Sequence, residues 1–210
     1  RADFGELIFR SSNYELYGDM SRRIISILRQ EALEVEQYSI DEAFIRPPAV
    51  ELAEYGRRLR AKLLKWTGIP CGIGFAPTKT LAKIANHIGK KLPEGVFVMP
   101  DDPSPILSSL PVEEVWGIGR RMGERLRRRG IVTAAGLRDA PDSALRSIGS
   151  IVPVRTAAEL RGVESVTDRD GTIGIRCPNG VGSYRQTGSI VHTGSGTRGT
   201  LLVLCHLATE

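Results

Sequence analysis

Four prolines, Pro100, Pro103, Pro105 and Pro111, divide this chain into two stretches with different hydrophobic periods. Proline fixes φ and lacks an N–H, so a cluster of it ends regular structure and marks a boundary. Before the cluster, apolar residues alternate between helical and strand spacing. After it, up to about residue 162, their spacing suits only short helices. The first stretch therefore predicts a layered α/β or α+β unit, and the second a small helical one.

Ser11-Ser12-Asn13 supplies a helix cap, and Tyr14, Leu16, Tyr17, Met20, Ile24, Ile27 and Leu28 recur behind it at helical spacing. Val35–Ile40 and Ala43–Ile45 read as extended pieces, the second ended by Pro47-Pro48. Ala49–Trp66 reads as an amphipathic helix, with Leu52, Leu59, Leu63 and Trp66 inward and Arg57, Arg58, Arg60, Lys62 and Lys65 outward. A short strand at Ile69–Phe75, a helix at Thr78–Lys90 and a strand at Gly95–Met99 follow. From Gly171 to Glu210 there are eight glycines, six threonines, no lysine and one acid. That composition predicts a poorly ordered tail or, as the alternative, a small irregular domain, in which Leu201–Leu204 is an isolated apolar run.

The first candidate site is Asp41-Glu42, between two apolar extended runs. Acids in such a context need water, a cation or a turn. An ideal strand sends neighbouring side chains to opposite faces, but a turn or bulge relaxes that limit. Two carboxylates at a sheet edge suit Mg²⁺, which takes oxygen ligands and keeps some water. The dipeptide is equally compatible with a solvated hairpin turn.

The second is Cys71 to Lys79, a strand running into a helix whose first N–H groups would welcome an anion. It lacks the order of residues of a phosphate-binding P-loop. Lys79 and Lys83 share a face, and Lys90 lies close to the same face. Such a row suits a triphosphate or a DNA backbone; it also suits plain solvation.

The third is Gly117-Ile118-Gly119, between two short helices. Its glycines bring backbone N–H groups to the surface, where they can hold a phosphate without reading sequence. Ile118 would anchor the turn in the core. Seven arginines lie between Arg120 and Arg138, including Arg121, Arg125 and Arg127. Nucleic-acid contact is the expectation here.

The formal charge is only +5, so this clustering carries more than the total does. Aromatics make up 6%, which disfavours extensive base stacking on rings. Three scattered cysteines argue against a disulfide framework or a zinc site, and fit a reducing, cytoplasmic setting. No apolar run is long enough to span a membrane, and no secretory pattern opens the chain.

Three segments together resemble the Y-family DNA polymerases, most closely their UmuC-like branch. They are Ser11-Ser12-Asn13-Tyr14-Glu15-Leu16-Tyr17, Tyr38-Ser39-Ile40-Asp41-Glu42-Ala43-Phe44, and Gly72 through Lys83. The Gly117–Gly119 hairpin stands at the matching distance, and Thr156–Gly162 resembles the end of a thumb. The likeness covers about residues 5 to 165. It implies an α+β fold: a palm with a mixed or antiparallel sheet, then a helical thumb with a helix-hairpin-helix element. The expected division is 1–12 fingers end or palm start, 13–100 palm, 101–165 thumb and 166–210 tail.

The same likeness implies an error-prone, translesion DNA-directed DNA polymerase of SOS mutagenesis. Asp41 and Glu42 match palm carboxylates that hold two Mg²⁺ beside an earlier aspartate in the complete enzyme, and Mg²⁺ binding is expected to be reduced or absent in this chain alone. Lys90 matches a lysine that contacts the incoming dNTP, and the Gly117–Gly119 hairpin matches the grip on primer-template DNA. UmuD′, RecA and the sliding clamp are the implied protein partners. The family's opening motif, an aspartate followed by an aromatic pair, is not found between Arg1 and Ser11. A partial gene, with a shifted frame near residue 175, is therefore expected, and a chain that binds DNA without polymerising. A noncatalytic DNA-binding fragment, a cyclase-like palm and a structural protein with incidental basic helices remain the alternatives.

Overall fold

The computed structural model describes residues 11–163 and 200–205. Helix α1 (Tyr14–Glu31) begins where Asn13 Oδ1 accepts from the Leu16 N–H, at the expected cap. Its buried face is Ile24, Ile25, Ile27 and Leu28, toward its C-terminal end. Tyr14 and Leu16, expected to face inward, are 77% and 51% exposed, because the core contact covers only the later turns.

Strands β1 (Glu34–Gln37) and β2 (Glu42–Arg46) form an antiparallel pair, with Glu36 opposite Phe44 and Gln37 opposite Ala43. Helix α2 (Leu52–Thr67) buries Tyr55, Gly56, Leu59 and Leu63. Trp66 departs from the expected inner face. It is 62% exposed, and the Lys62 ammonium lies over its ring. Strand β3 (Cys71–Ala76) is buried along its whole length, helix α3 (Lys79–Gly89) returns across it, and β4 (Val96–Val98) pairs parallel to β3. Glycine is required at Gly74, where a Cβ would stand 2.1 Å from the Asn86 backbone nitrogen. This lets α3 lie directly on β3, fixed further by Asn86 Nδ2 donating to the Gly72 carbonyl at 2.6 Å.

From Pro103 to residue 163 the described residues form short helices: α4 (Ser104–Ser109), α5 (Arg120–Arg127), α6 (Ala134–Asp139), α7 (Asp142–Arg146) and α8 (Val152–Leu160), with a 3₁₀ turn at Val112–Glu114. Their core, built on Leu107, Val112, Ile118, Leu126, Leu137, Leu145 and Leu160, is continuous with Phe44 and with the outer face of α3. A second core, on the opposite sheet face, joins α1 and α2 to Ala43, Ile45, Ile73 and Phe75.

The expected poorly ordered tail needs correction in one place. Thr200–Cys205 is strand β5, antiparallel to both β2 and β3 in a sheet of order β1-β2-β5-β3-β4. A continuous apolar run is what a central strand carries, and its partners are more than a hundred residues away. The rest of the expected tail, 166–199 and 206–210, and residues 1–10 lie outside the described residues. Among the described residues no helix is long and apolar enough to cross a membrane.

Candidate active site and nucleic-acid interface

The β1–β2 joint places the acidic pair. The Tyr38 and Ser39 N–H groups both donate to the Glu42 carbonyl, at 2.9 and 3.0 Å, which closes a turn around Ser39–Asp41. Asp41 stands in that turn. Its Oδ1 accepts from the Ser39 hydroxyl at 2.7 Å, and its N–H donates back to Ser39 Oγ at 3.3 Å. Glu42 opens β2. Strand alternation sends Ala43 and Ile45 to the core beneath α1 and α2, and Phe44 to the core shared with the helical part. Glu42 has the parity of Phe44, and its ion pair with Lys83 of α3 puts its carboxylate on that face. Because Asp41 precedes the strand, alternation does not bind it to either face.

The three lysines do not form one open row. Lys79 Nζ donates to both carboxylate oxygens of Glu36, at 2.8 and 2.6 Å, and lies 5.2 Å from the centre of the Phe44 ring. Lys83 pairs with Glu42 and sits 5.1 Å from the Tyr38 ring centre and 5.6 Å from that of Trp116. The expectation that Lys79 and Lys83 face phosphate meets a physical obstacle: β1 and β2 present Glu36 and Glu42 to the same face of the sheet. Lys90 is the C-cap of α3. The helix rises about 1.5 Å per residue, so Lys90 stands roughly 16 Å along the axis from Lys79. Its stem lies over Gly72, where a Cβ would meet Lys90 Cγ at 2.6 Å.

The start of α3, expected to welcome an anion, already has one. The Glu159 carboxylate of α8 accepts from the Thr80 N–H at 2.8 Å and the Thr80 hydroxyl at 2.5 Å. Thr78 caps the helix toward Leu81 N and donates its hydroxyl to the Glu159 carbonyl at 2.9 Å. Sequence reasoning missed Glu159, whose only local signal is an acid among apolar residues of a buried helix face.

The glycine hairpin has the expected form. Gly117 adopts φ +85°, a left-handed conformation that glycine tolerates, and Ile118 is buried. Gly119 is the N-cap of α5 and offers no side-chain bond, so the helix opens on uncapped N–H groups. Gly119, Arg120, Arg121, Met122 and Arg125 line a shallow depression beside it. Arg120, Arg121 and Arg125 are exposed and form no ion pair among the described residues. Arg127 differs, because it forms a two-pronged ion pair with Glu113. The Arg127 guanidinium holds the Glu113 carboxyl below its usual range, and Glu113 raises Arg127 in turn.

Among the described residues no three His, Cys, Asp or Glu side chains gather as a metal cluster. Two adjacent carboxylates are still a hard-oxygen donor set. They fit Mg²⁺, which commonly binds one or two carboxylates and completes its shell with water and substrate phosphates.

Residues 2–87 match the impB/mucB/samB family, and residues 100–131 match the helix-hairpin-helix motif of the same family. The chain is 44% identical over 161 residues to Protein UmuC of Salmonella typhimurium, covering 72% of this chain and 38% of UmuC. It is 42% identical over 160 residues to Protein MucB of Escherichia coli, again with 72% and 38% covered. It thus spans about two fifths of the curated relatives it matches. Among solved structures, the insertion ternary complex of Dbh DNA polymerase superposes with a TM-score of 0.64 at 26% identity, over 78% of this chain and 49% of that one. DinB from Sulfolobus solfataricus gives 0.62 at 27%, over 73% and 47%. The α+β sheet layer followed by a helical hairpin unit is the fold of Y-family polymerases.

Proposed function

Since this chain belongs to the impB/mucB/samB family, we propose that it forms the palm and thumb of an error-prone translesion DNA polymerase. Residues 13–100 are the palm and 101–165 the thumb. The observation that carries the reading is the β1–β2 turn, which holds Asp41 on the Ser39 hydroxyl and leads directly into Glu42 at the start of β2. A glycine hairpin of the family's own type follows it in the chain, which favours a polymerase over a cyclase-like palm.

The substrates are primer-template DNA and a dNTP: the primer 3′-hydroxyl attacks the α-phosphate, gives up its proton to solvent, and the α–β phosphoanhydride bond breaks to release pyrophosphate. Asp41 and Glu42 would hold Mg²⁺, which would supply Lewis-acid stabilisation of the charge that develops at phosphorus. Ser39 orients Asp41 through its hydroxyl. Lys90 is the residue toward the triphosphate. The open N–H groups of α5, with Arg120, Arg121 and Arg125, grip the DNA backbone without reading bases. UmuD′, RecA and the sliding clamp are partners of the complete polymerase, active in SOS mutagenesis in the cytoplasm.

The complete polymerase extends primers, whereas residues 1–210 alone bind DNA and do not. Only two carboxylates stand at the turn among the described residues, and a reacting group misplaced by about 1 Å can lose about a hundredfold in rate. The test is primer extension with Mg²⁺ and four dNTPs, by residues 1–210 and by the complete chain. Template-dependent extension by the shorter protein refutes its inactivity. Failure of the complete chain under the same conditions refutes the polymerase reading.

A further inference from the structure

Lys83 is held from three sides. Glu42 takes its charge, and the Tyr38 and Trp116 rings, which cross at 84° with centres 5.5 Å apart, flank its ammonium. Its side chain is 16% exposed and that of Glu42 is 17% exposed. Two charges so far out of water depend on each other: removing one leaves the other uncompensated. The rings add an attraction for the ammonium that needs no carboxylate. Trp116 belongs to the helical part and immediately precedes Gly117 of the hairpin, whereas Glu42, Tyr38 and Lys83 belong to the sheet layer.

We infer that Lys83 is a resident counter-cation of Glu42, which a divalent metal ion entering at Asp41 and Glu42 must displace, the ammonium staying on the Tyr38 and Trp116 rings. This rests on the reading of Asp41 and Glu42 as metal carboxylates. The ammonium occupies Glu42 Oε2 and neutralises the carboxylate, so a metal ion drawn to that charge competes with it and Lys83 sets the metal affinity of the site. The ring pair lowers the penalty of that displacement, because the freed ammonium keeps an electron-rich partner. Trp116 feels the change directly, since the charge over its ring loses its counter-ion. Lys83 acts here as a positioning residue and touches no substrate.

The experiment uses residues 1–210 with Trp66→Phe, which leaves Trp116 as the single tryptophan. Mn²⁺ binding is followed by the loss of free-ion paramagnetic resonance, and Trp116 emission is followed during a Mg²⁺ titration. Lys83→Met is expected to tighten Mn²⁺ about tenfold, a modest share of one unit-charge interaction near a protein surface. It also abolishes the Mg²⁺-dependent change in emission, whereas Lys83→Arg keeps the weaker binding. Tyr38→Leu removes one wall of the seat and leaves both charges, so it covers the case in which Lys83→Met does not fold. With displacement assisted less, Mn²⁺ binds about threefold more weakly. Glu42→Gln separates the two readings. If it removes Mn²⁺ binding while the Lys83 and Tyr38 variants bind as the parent does, the counter-cation inference is wrong and the metal site stands. If Mn²⁺ binds equally well to Glu42→Gln, or to no variant, the metal reading itself fails and the inference falls with it.

Discussion

The carboxylate of Glu159 accepts both the backbone N–H and the hydroxyl of Thr80, joining the last helix of the helical part to the first turn of α3. An acid at a helix N-terminus meets donors and the positive end of the helix dipole. Here it does so in a buried place, with the Thr78 hydroxyl bound to the carbonyl of the same glutamate. The sheet layer and the helical part are thereby held by directional bonds as well as by their shared apolar core.

Glu159→Ala should therefore destabilise the protein by about 2 kcal/mol, the usual cost of leaving buried donors without an acceptor. Glu159→Gln should cost less, because its amide oxygen can still accept. Urea unfolding followed by circular dichroism measures both. Equal stability of the Ala variant and the parent would mean that the shared core alone sets the joint.

DNA binding should weaken steeply with salt. Each neutralised phosphate contributes about −0.9 to the slope of log K against log salt, so three open arginines give roughly −3. Arg120→Ala should bring the slope nearer zero by about one. Arg127→Ala should change it less, since its charge is already spent on Glu113. Fluorescence anisotropy of a labelled duplex across a salt series is the measurement, and a salt-independent affinity would remove the hairpin from the interface.

In the complete polymerase, Asp41→Asn should nearly abolish extension while leaving DNA affinity within about twofold, because the hairpin is a separate element. Lys90→Ala should lower kcat/KM for dNTP more than it lowers DNA binding. Steady-state kinetics with varied dNTP, beside the anisotropy measurement, resolves the two. A proportional loss of DNA affinity in the Asp41 variant would argue for a folding role at the turn.

Tyr55 gives a pH signature of the core under α2. Burial first, and then the nearby Glu31 charge, pushes its phenol up to about 12, and its hydroxyl donates to the Glu31 carbonyl at 2.8 Å. The unfolded chain loses this proton near pH 10 and the folded one near 12. The contribution to stability is thus whole below pH 10 and is lost as pH rises toward 12. Tyr55→Phe should flatten that fall, which denaturant midpoints taken between pH 9 and 12 will register. A parent and variant with parallel pH profiles would show that Tyr55 ionises alike in both states.

Local signals are legible in the sequence, and long-range pairings are not. The Asn13 cap, the break at the prolines, the β1–β2 joint around Asp41 and the buried Ile118 all follow from residues within a few positions of each other. Lys79 and Lys83 looked solvated or phosphate-facing, because Glu36 and Glu42 become their neighbours only once α3 lies on the sheet. Glu159 sits 79 residues from Thr80, and no period in the sequence links them. Trp66 kept helical spacing with Leu59 and Leu63 yet fell outside the core, since periodicity says which side faces inward but not how far along the helix the contact extends.

The place of β5 has a kinetic consequence. The β1–β2 pair forms by closing a turn of a few residues, an event of microseconds, and β3, α3 and β4 are likewise near neighbours in the chain. Strand β5 must then slide between two finished half-sheets, pairing Leu201 with both Ile45 and Phe75. Bringing together residues so far apart in sequence before any contact rewards it makes this insertion the slow step of folding. Until it occurs, β2 and β3 present unpaired edges toward each other. Those edges are templates for a strand of another molecule, so refolding yield should fall as protein concentration rises.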